Sequence, residues 1–261
     1  MEKLFVIKIG GNLIDDEQKL ASFLKEFSSI KEKKILVHGG GKLATNVAQQ
    51  LSIPQQMIDG RRITDAETLK VITMVYAGFI NKNIVAKLQA NNCNAIGLCG
   101  ADGNLIQAHK RISATIDYGF VGDIDEVNTD SFIKLLNEEL TPVIAPVSHD
   151  AAGQLLNTNA DTIAQEIAKA LSKQFHTTLI YCFEKKGLLE NTEDENSVIA
   201  QINHIWYKDL KEKKLIHSGM IPKLDNAFAA LANGVTKVII GKAEELKSLI
   251  SGSSGTTISN E

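Results

Sequence analysis

Apolar positions along the chain fall into two alternating rhythms. Leu4-Phe-Val-Ile-Lys-Ile9 is continuously apolar except at Lys8 and stops at Gly10-Gly11, as expected of a strand buried on both faces of a parallel sheet. A helical segment around Leu20 to Phe27 follows, then the charged link Lys31-Glu-Lys-Lys34. Ile35-Leu-Val37 reads as the next strand and ends in His38-Gly-Gly-Gly-Lys42. Leu43, Ala44, Val47, Ala48 and Leu51 share one helical face, so strand, glycine turn and helix are complete by residue 51.

The same alternation continues. Gly60-Arg-Arg-Ile-Thr-Asp65 reads as a loop, with Thr64 capping a helix from Ala66 and Glu67 closing a capping box; that helix runs to about Ala90. Ala95-Ile-Gly-Leu-Cys99 reads as a strand entering the turn Gly100-Ala-Asp-Gly103, and residues 104–128 as a hairpin excursion. Phe132 to Asn137 is expected to be helical, and Pro142-Val-Ile-Ala-Pro-Val147 to be a strand. Thr162 to Leu171 forms an apolar helical run behind Asn157-Thr-Asn-Ala-Asp161. Thr178-Leu-Ile-Tyr-Cys-Phe183 reads as a strand and Glu184-Lys-Lys-Gly187 as its turn. A helix from Pro222 to Leu231 turns Leu224, Ala227, Phe228 and Leu231 inward and stops near Gly234. Lys237-Val-Ile-Ile-Gly241 is a further strand, and Ser251 to Ile258 is either a flexible tail or a last edge strand. Alternating strands and helices define an α/β class with a mostly parallel central sheet, in two lobes, 1–172 and 173–261.

Composition narrows the partners. The 261 residues, 44% of them hydrophobic, can bury a full core. A net charge of −3 and a pI of about 6.1 give no basic field for nucleic acid or a membrane surface, which favours a small-molecule substrate. Cys93, Cys99 and Cys182 fit neither a disulfide framework nor a zinc site, so a reducing cytoplasm is expected. The N-terminus reads as a first strand rather than a signal peptide, and no run is long enough to span a bilayer.

Several residues stand out against this background, each with an ordinary alternative. Gly39-Gly-Gly-Lys42 joins a strand to a helix, where outward-pointing N–H groups and the helix dipole favour an anion and glycine allows close approach; a plain tight turn is the other reading. It is not a Walker A loop, which needs four residues between its glycines and Ser or Thr after its lysine. Gly10-Gly11 has the same logic in weaker form. Lys8 is costly to bury within an apolar strand unless paired or used, or else snorkels to the strand end. Lys223 follows Pro222, a residue that favours the first helical position, so its charge opposes the helix dipole by about 0.3–1 kcal/mol. A shared phosphate would offset that penalty; an ordinary surface lysine would tolerate it. Asp161 fits a capping box with Thr158, and Asn157 and Asn159 suit caps or turns. Arg62 offers a fork matched to a carboxylate or is a solvated loop charge. The six histidines, His38 among them, show no ligand spacing and read as incidental, and Ser148-His149-Asp150 is no triad, whose members meet only in space.

In their order and spacing, Lys8-Ile-Gly-Gly11, Val37-His-Gly-Gly-Gly41, Gly60-Arg-Arg-Ile-Thr-Asp65, Leu98-Cys-Gly-Ala-Asp-Gly103, Pro142-Val-Ile-Ala-Pro146, Asn157-Thr-Asn-Ala-Asp161 and Gly219-Met-Ile-Pro-Lys223 closely resemble the amino-acid kinase family. The resemblance runs from the first strand to about Gly241 and points to the branch that phosphorylates N-acylated glutamate. It implies an open αβα sandwich in which the N-terminal lobe binds the acyl-glutamate and the C-terminal lobe binds ATP. Lys8 and Lys223 would stabilise the transition state from the substrate and nucleotide sides, with Asp161 orienting both. Gly10, Gly11 and Gly40 would hold phosphoryl oxygens; Gly40 and Gly41 would also lie near the substrate, and Arg62 and Asn157 would bind its carboxylate. Glu184, Gly187, Ser218, Gly219 and Met220 would complete the nucleotide side, and Mg²⁺ would be held mainly by ATP phosphates and water.

That residue set suits the chemistry. A γ-carboxylate with a pKa of roughly 4.3 is already ionised at neutral pH, so the obstacle is bringing one anion up to another, which positioning and charge neutralisation address. The sequence departs from the family at Phe183-Glu184, where Thr-Asp is usual, and at Cys99, where a small hydroxyl residue is usual. The chain starts at its first strand, without the N-terminal helix that accompanies arginine-inhibited hexamers in this family, which implies an arginine-insensitive homodimer. N-acetyl-L-glutamate is the leading substrate and N-succinyl-L-glutamate the runner-up; a non-catalytic nucleotide- or metabolite-binding regulator on the same fold is the competing class.

Overall fold

The computed structural model describes residues 1–58, 61–191, 194–212 and 221–260. Strand β1 (Lys3–Ile9) buries every residue after Lys3. Helices α1 (Gly11–Ile14) and α2 (Glu17–Ser28) lead to β2 (Lys33–His38), and α3 (Gly41–Gln50) follows its glycine turn. The short pair β3 (Gln56–Ile58) and β4 (Arg61–Ile63) precedes one helical rod made of α4 (Ala66–Ile72), a π-helical stretch Thr73–Ile80 and α5 (Asn81–Ala90). Next come β5 (Ala95–Leu98), the hairpin β6 (Ile106–Lys110) and β7 (Gly122–Val127), α6 (Thr129–Asn137) and β8 (Thr141–Ile144). β9 (Val147–His149), β10 (Leu155–Asn157) and α7 (Ala160–Leu171) then return the chain to the centre. The remainder holds β11 (His176–Phe183), β12 (Gln201–Ile202), α8 (His204–Glu212), α9 (Ile221–Ala232), β13 (Lys237–Lys242), α10 (Leu246–Ser251) and β14 (Thr256–Ile258).

Among the described residues, eight strands form the central sheet in the order β12-β14-β13-β11-β1-β2-β8-β5. From β13 to β5 every neighbouring pair is parallel, and β14 runs antiparallel to β13. One apolar layer, with Phe132, Ile163, Leu171 and Leu224, covers one face, and another, with Phe23, Phe27, Ile72 and Leu249, covers the other. The result is the expected αβα sandwich. The excursion forms a second sheet, β10-β9-β6-β7. Because β1 sits mid-sheet, with β2 on one side and β11 on the other, a crevice opens beyond their carboxyl ends, where open α/β sheets bind ligands.

Several local expectations are corrected. Asp65 rather than Thr64 caps α4, accepting from the Thr68 N–H at 2.7 Å, because the helix begins one residue after it. Thr64 donates instead to the Arg62 carbonyl, and Glu67 pairs with Lys70 rather than closing a box. Asn159 caps α7, accepting from the N–H groups of Asp161 and Thr162, so Thr158 and Asp161 form no capping box. Leu51 lies past the end of α3 and is 54% exposed, while Ala44 and Ala48 carry the buried face. The loop at 60–65 is partly strand, since Arg61–Ile63 pairs with β3. The strand expected at Pro142–Val147 breaks into β8 and β9, which belong to different sheets. Ser251 to Ile258 is neither tail nor edge: α10 ends at Ser251, and β14 is inserted between β13 and β12.

His38, incidental by sequence, is a structural hub. It is fully buried; its Nδ1 lies 2.8 Å from the Gly39 carbonyl and its Nε2 3.1 Å from Asn81 Nδ2. Burial, with a small addition from Lys82, holds its pKa down at about 4 against an ordinary 6.5. An unfolded chain therefore takes up a proton that the folded one refuses, so this stability is complete above pH 6.5 and is lost as pH falls toward about 4. The difference amounts to roughly 3 kcal/mol. Denaturant midpoints measured across that window are expected to fall steeply in the wild type and much less steeply in His38→Gln.

Candidate active site

β1 delivers Lys8 to the crevice, in register with Tyr181 of β11 and Val37 of β2. The side chain is 10% exposed, and its Nζ lies 2.7 Å from Asp161 Oδ1 in the first turn of α7. Since Asn159 supplies the cap, the Asp161 carboxylate is left to face the lysine. Lys223 enters from the first turn of α9, its Nζ 3.7 Å from the Phe183 ring centroid, while Lys8 Nζ lies 5.5 Å from the same ring. Burial lowers the pKa of Lys223, Asp161 opposes that shift and Lys8 adds to it. Three residues from β1, α7 and α9 thus meet as two cations and one anion, an arrangement that an anionic guest completes.

On one side of this cluster lies a cavity of about 510 Å³ lined by Gly10, Gly11, Phe183, Glu184, Gly187 and Lys223, with Lys19, Lys185 and Lys242 adding positive charge. Its size and charge suit a nucleoside polyphosphate. The N-terminus of α1 opens at Gly10 without a side-chain cap, whereas α2, α4, α6 and α7 are each capped by a side chain. Glu184 is exposed at the rim, and Gly187 is required by packing, since a Cβ there would meet Thr256 Oγ1. Cys182 also lines the cavity, but burial pushes its thiol up to about 12, which makes it inert as a nucleophile. Ser218, Gly219 and Met220 lie outside the described residues.

On the other side is a cavity of about 220 Å³ lined by Gly40, Gly41, Arg62, Asn157 and the segment Asn159–Ala160 beside Asp161. Gly40 opens α3, also without a side-chain cap, at φ 150°, a conformation that favours glycine. Arg62 is 8% exposed and donates through Nη2 to the Gly41 carbonyl and Thr45 Oγ1, each at 2.9 Å, and through Nη1 to Gln55 Oε1. Among the described residues these partners are neutral, so the guanidinium charge remains available to a carboxylate. Asn157 donates to Thr64 Oγ1 at 3.0 Å, which fixes its amide at the rim. Cys99 does not line this cavity; its N–H is held by Asp102.

Three further side chains contribute that the sequence does not single out for this role. Tyr76, on the π-helical stretch, lines the second cavity beside Arg62; burial raises its pKa and the guanidinium lowers it. A tyrosine in an apolar helix looks like core, so no sequence signal set it apart. Arg111, just past the end of β6, also lines this cavity, bound to Asp123 through Nε at 3.0 Å, and no sequence pattern marks it. Phe183, in the sequence only a departure from the family pattern, is a neighbour of both lysines. Among the described residues, no group of three or more His, Cys, Asp or Glu side chains is placed to hold a metal ion. No described helix is long and apolar enough to cross a membrane.

The chain is similar to known proteins over nearly its whole length. The chain is 58% identical over 251 residues to an acetylglutamate kinase of Cytophaga hutchinsonii, covering 96% of this chain and 95% of that one. It is 54% identical to an acetylglutamate kinase of Parabacteroides distasonis, covering 94% and 96%. Among solved structures, a protein from Streptococcus mutans UA159 superposes with a TM-score of 0.79 at 26% identity over 99% of both chains. Carbamate kinase from Giardia lamblia bound to AMP-PNP gives 0.70 at 15% identity, over 100% of this chain and 99% of that one, a likeness of fold. The profile of the Amino acid kinase family matches residues 3–242, and the chain belongs to that family.

Proposed function

We propose that this chain transfers the γ-phosphoryl group of ATP to the γ-carboxylate of N-acetyl-L-glutamate, giving ADP and N-acetylglutamyl 5-phosphate, a step of arginine biosynthesis. The observation that carries the reading is the Lys8–Asp161–Lys223 cluster standing between a cationic cavity and a cavity with an available arginine. A carboxylate oxygen of the substrate attacks the γ-phosphorus and the bond to the bridging oxygen of ADP breaks; no proton needs removing. Arg62 and Asn157 bind the α-carboxylate, and Gly40 and Gly41 let the acyl-glutamate backbone lie close. Lys8 neutralises charge on the substrate side and Lys223 on the nucleotide side, with Asp161 keeping the two ammonium groups aligned. Among the described residues, Glu184 and Glu244 are the carboxylates of the larger cavity, a sparse donor set that fits Mg²⁺ carried on ATP phosphates and water. Bound there, the ion would screen phosphate charge.

Residues 1–172 would hold the acyl-glutamate and 173–261 the nucleotide, with Gly10 and Gly11 reaching across. A cytoplasmic homodimer belongs to the same reading, with the exposed Met74 and Phe79 as surface a second copy would cover; sedimentation at a single-chain mass would contradict the dimer.

The direct test is ADP release with N-acetyl-L-glutamate, N-succinyl-L-glutamate and free glutamate side by side. Preference for the acetyl compound supports the reading. Folded protein that binds ATP but releases no ADP with any of them would favour a binding module instead. Arg62→Lys is expected to raise KM for N-acetyl-L-glutamate about 10- to 100-fold by losing the two-pronged grip, while KM for ATP stays near wild type.

A further inference from the structure

Two ammonium groups and one carboxylate leave the Lys8–Asp161–Lys223 cluster with an excess positive charge before any nucleotide arrives. Like charges repel more strongly in a half-buried site than in water. What faces them here is an aromatic ring. Lys223 Nζ lies 3.7 Å and Lys8 Nζ 5.5 Å from the centroid of Phe183, both within the roughly 6 Å over which a ring face attracts a cation. Phe183 is the last residue of β11, paired with Lys242 of β13. Its ring stacks on Tyr181, centroids 6.0 Å apart at 16°, and the Tyr181 hydroxyl donates to the Asp161 carbonyl at 3.3 Å. The ring is therefore tied to the strand that carries it and, through Tyr181, to the segment that carries the carboxylate.

We propose that Phe183 is a positioning residue for phosphoryl transfer, its ring face holding Lys8 and Lys223 side by side and charged until the phosphates of the nucleotide meet them. A hydroxyl at this position has no comparable face to offer two cations at once. The proposal rests on the kinase reading above and adds a role for this chain's own side chain.

The test replaces Phe183 with phenylalanines carrying one, two and three ring fluorines, which keep the shape while draining negative potential from the face. The logarithm of kcat is expected to fall with each fluorine while KM for both substrates stays within about twofold. Phe183→Leu should lose about tenfold in kcat, and Phe183→Tyr should stay close to wild type. A trifluorinated enzyme as fast as the wild type would overturn the proposal, as would a leucine variant of undiminished kcat. An inactive wild type would instead count against the kinase reading, so the contact is also read without substrate. In protein labelled with ¹³C at the lysine ε-carbons, the Lys223 ε-CH₂ protons should be shifted upfield relative to Phe183→Leu by the ring current, and no such shift would also overturn the proposal.

Discussion

Replacing Asp161 with alanine is expected to lower kcat by about 10³-fold with little change in KM for either substrate. Lys8 Nζ sits 2.7 Å from this carboxylate, and the same carboxylate opposes the burial-driven fall in the pKa of Lys223. Without it, two cations share the Phe183 ring with no carboxylate between them. Lys8 and Lys223 would then move apart, and preorganised charge worth about 10²–10³ in rate for a single donor would be lost at two. The sign of the pH effect follows. Asp161 favours the charged form of Lys223, so its removal lowers that pKa further and moves the alkaline limb of kcat to lower pH. Stability should fall by only about 1–3 kcal/mol, because the carboxylate is partly solvated. A kcat within tenfold of wild type would show that the carboxylate is not the organiser.

The second large effect is expected at Gly40. Its φ of 150° is one that L side chains rarely adopt, and a Cβ would run into Ile80 Cδ1 and lie 3.2 Å from the Tyr76 ring carbons. Gly40→Ala combines backbone strain with overpacking, together costing about 2–4 kcal/mol. The same shift pushes the start of α3 away from the smaller cavity and disturbs Tyr76 beside Arg62. Thermal midpoint and KM for N-acetyl-L-glutamate should therefore change together, the latter by at least about tenfold. Gly10→Ala makes a useful contrast, because a Cβ there meets nothing within 4 Å and the fold should tolerate it.

The difference between those glycines was not legible in the sequence, where both simply follow a strand. Long apolar runs were legible: β1, β2, β11 and β13 lie where their apolar stretches place them, since a strand buried on both faces admits few polar residues. Lys8 and Lys223 were legible as anomalies, one inside an apolar strand and one in a helix's first turn. Their meeting at Asp161 came from family resemblance, because nothing in local spacing joins residues 8, 161 and 223. The cap of α4 falls one residue later than the sequence suggests, at Asp65, and of the two caps open for α7, Thr158 and Asn159, the structure takes Asn159; where Ser, Thr, Asp and Asn crowd together, only backbone dihedrals select among them. His38 was passed over because a buried histidine bonded to Asn81 has no sequence pattern. Short strands such as β12 and β14 carry too few residues for a period to show, and sheet order placed β14 inside the sheet.

On the proposed function, Lys8, Asp161 and Lys223 together pass a phosphoryl group to a carboxylate. An acyl phosphate reacts with hydroxylamine to give a hydroxamate, so trapping the product reports the bond that forms. With ATP, Mg²⁺ and N-acetyl-L-glutamate, the wild type is predicted to give hydroxamate and ADP in equal amounts, and Lys8→Ala, Asp161→Ala and Lys223→Ala to give almost none of either. ADP without hydroxamate, or hydroxamate at wild-type rates from any of the three variants, would contradict the account.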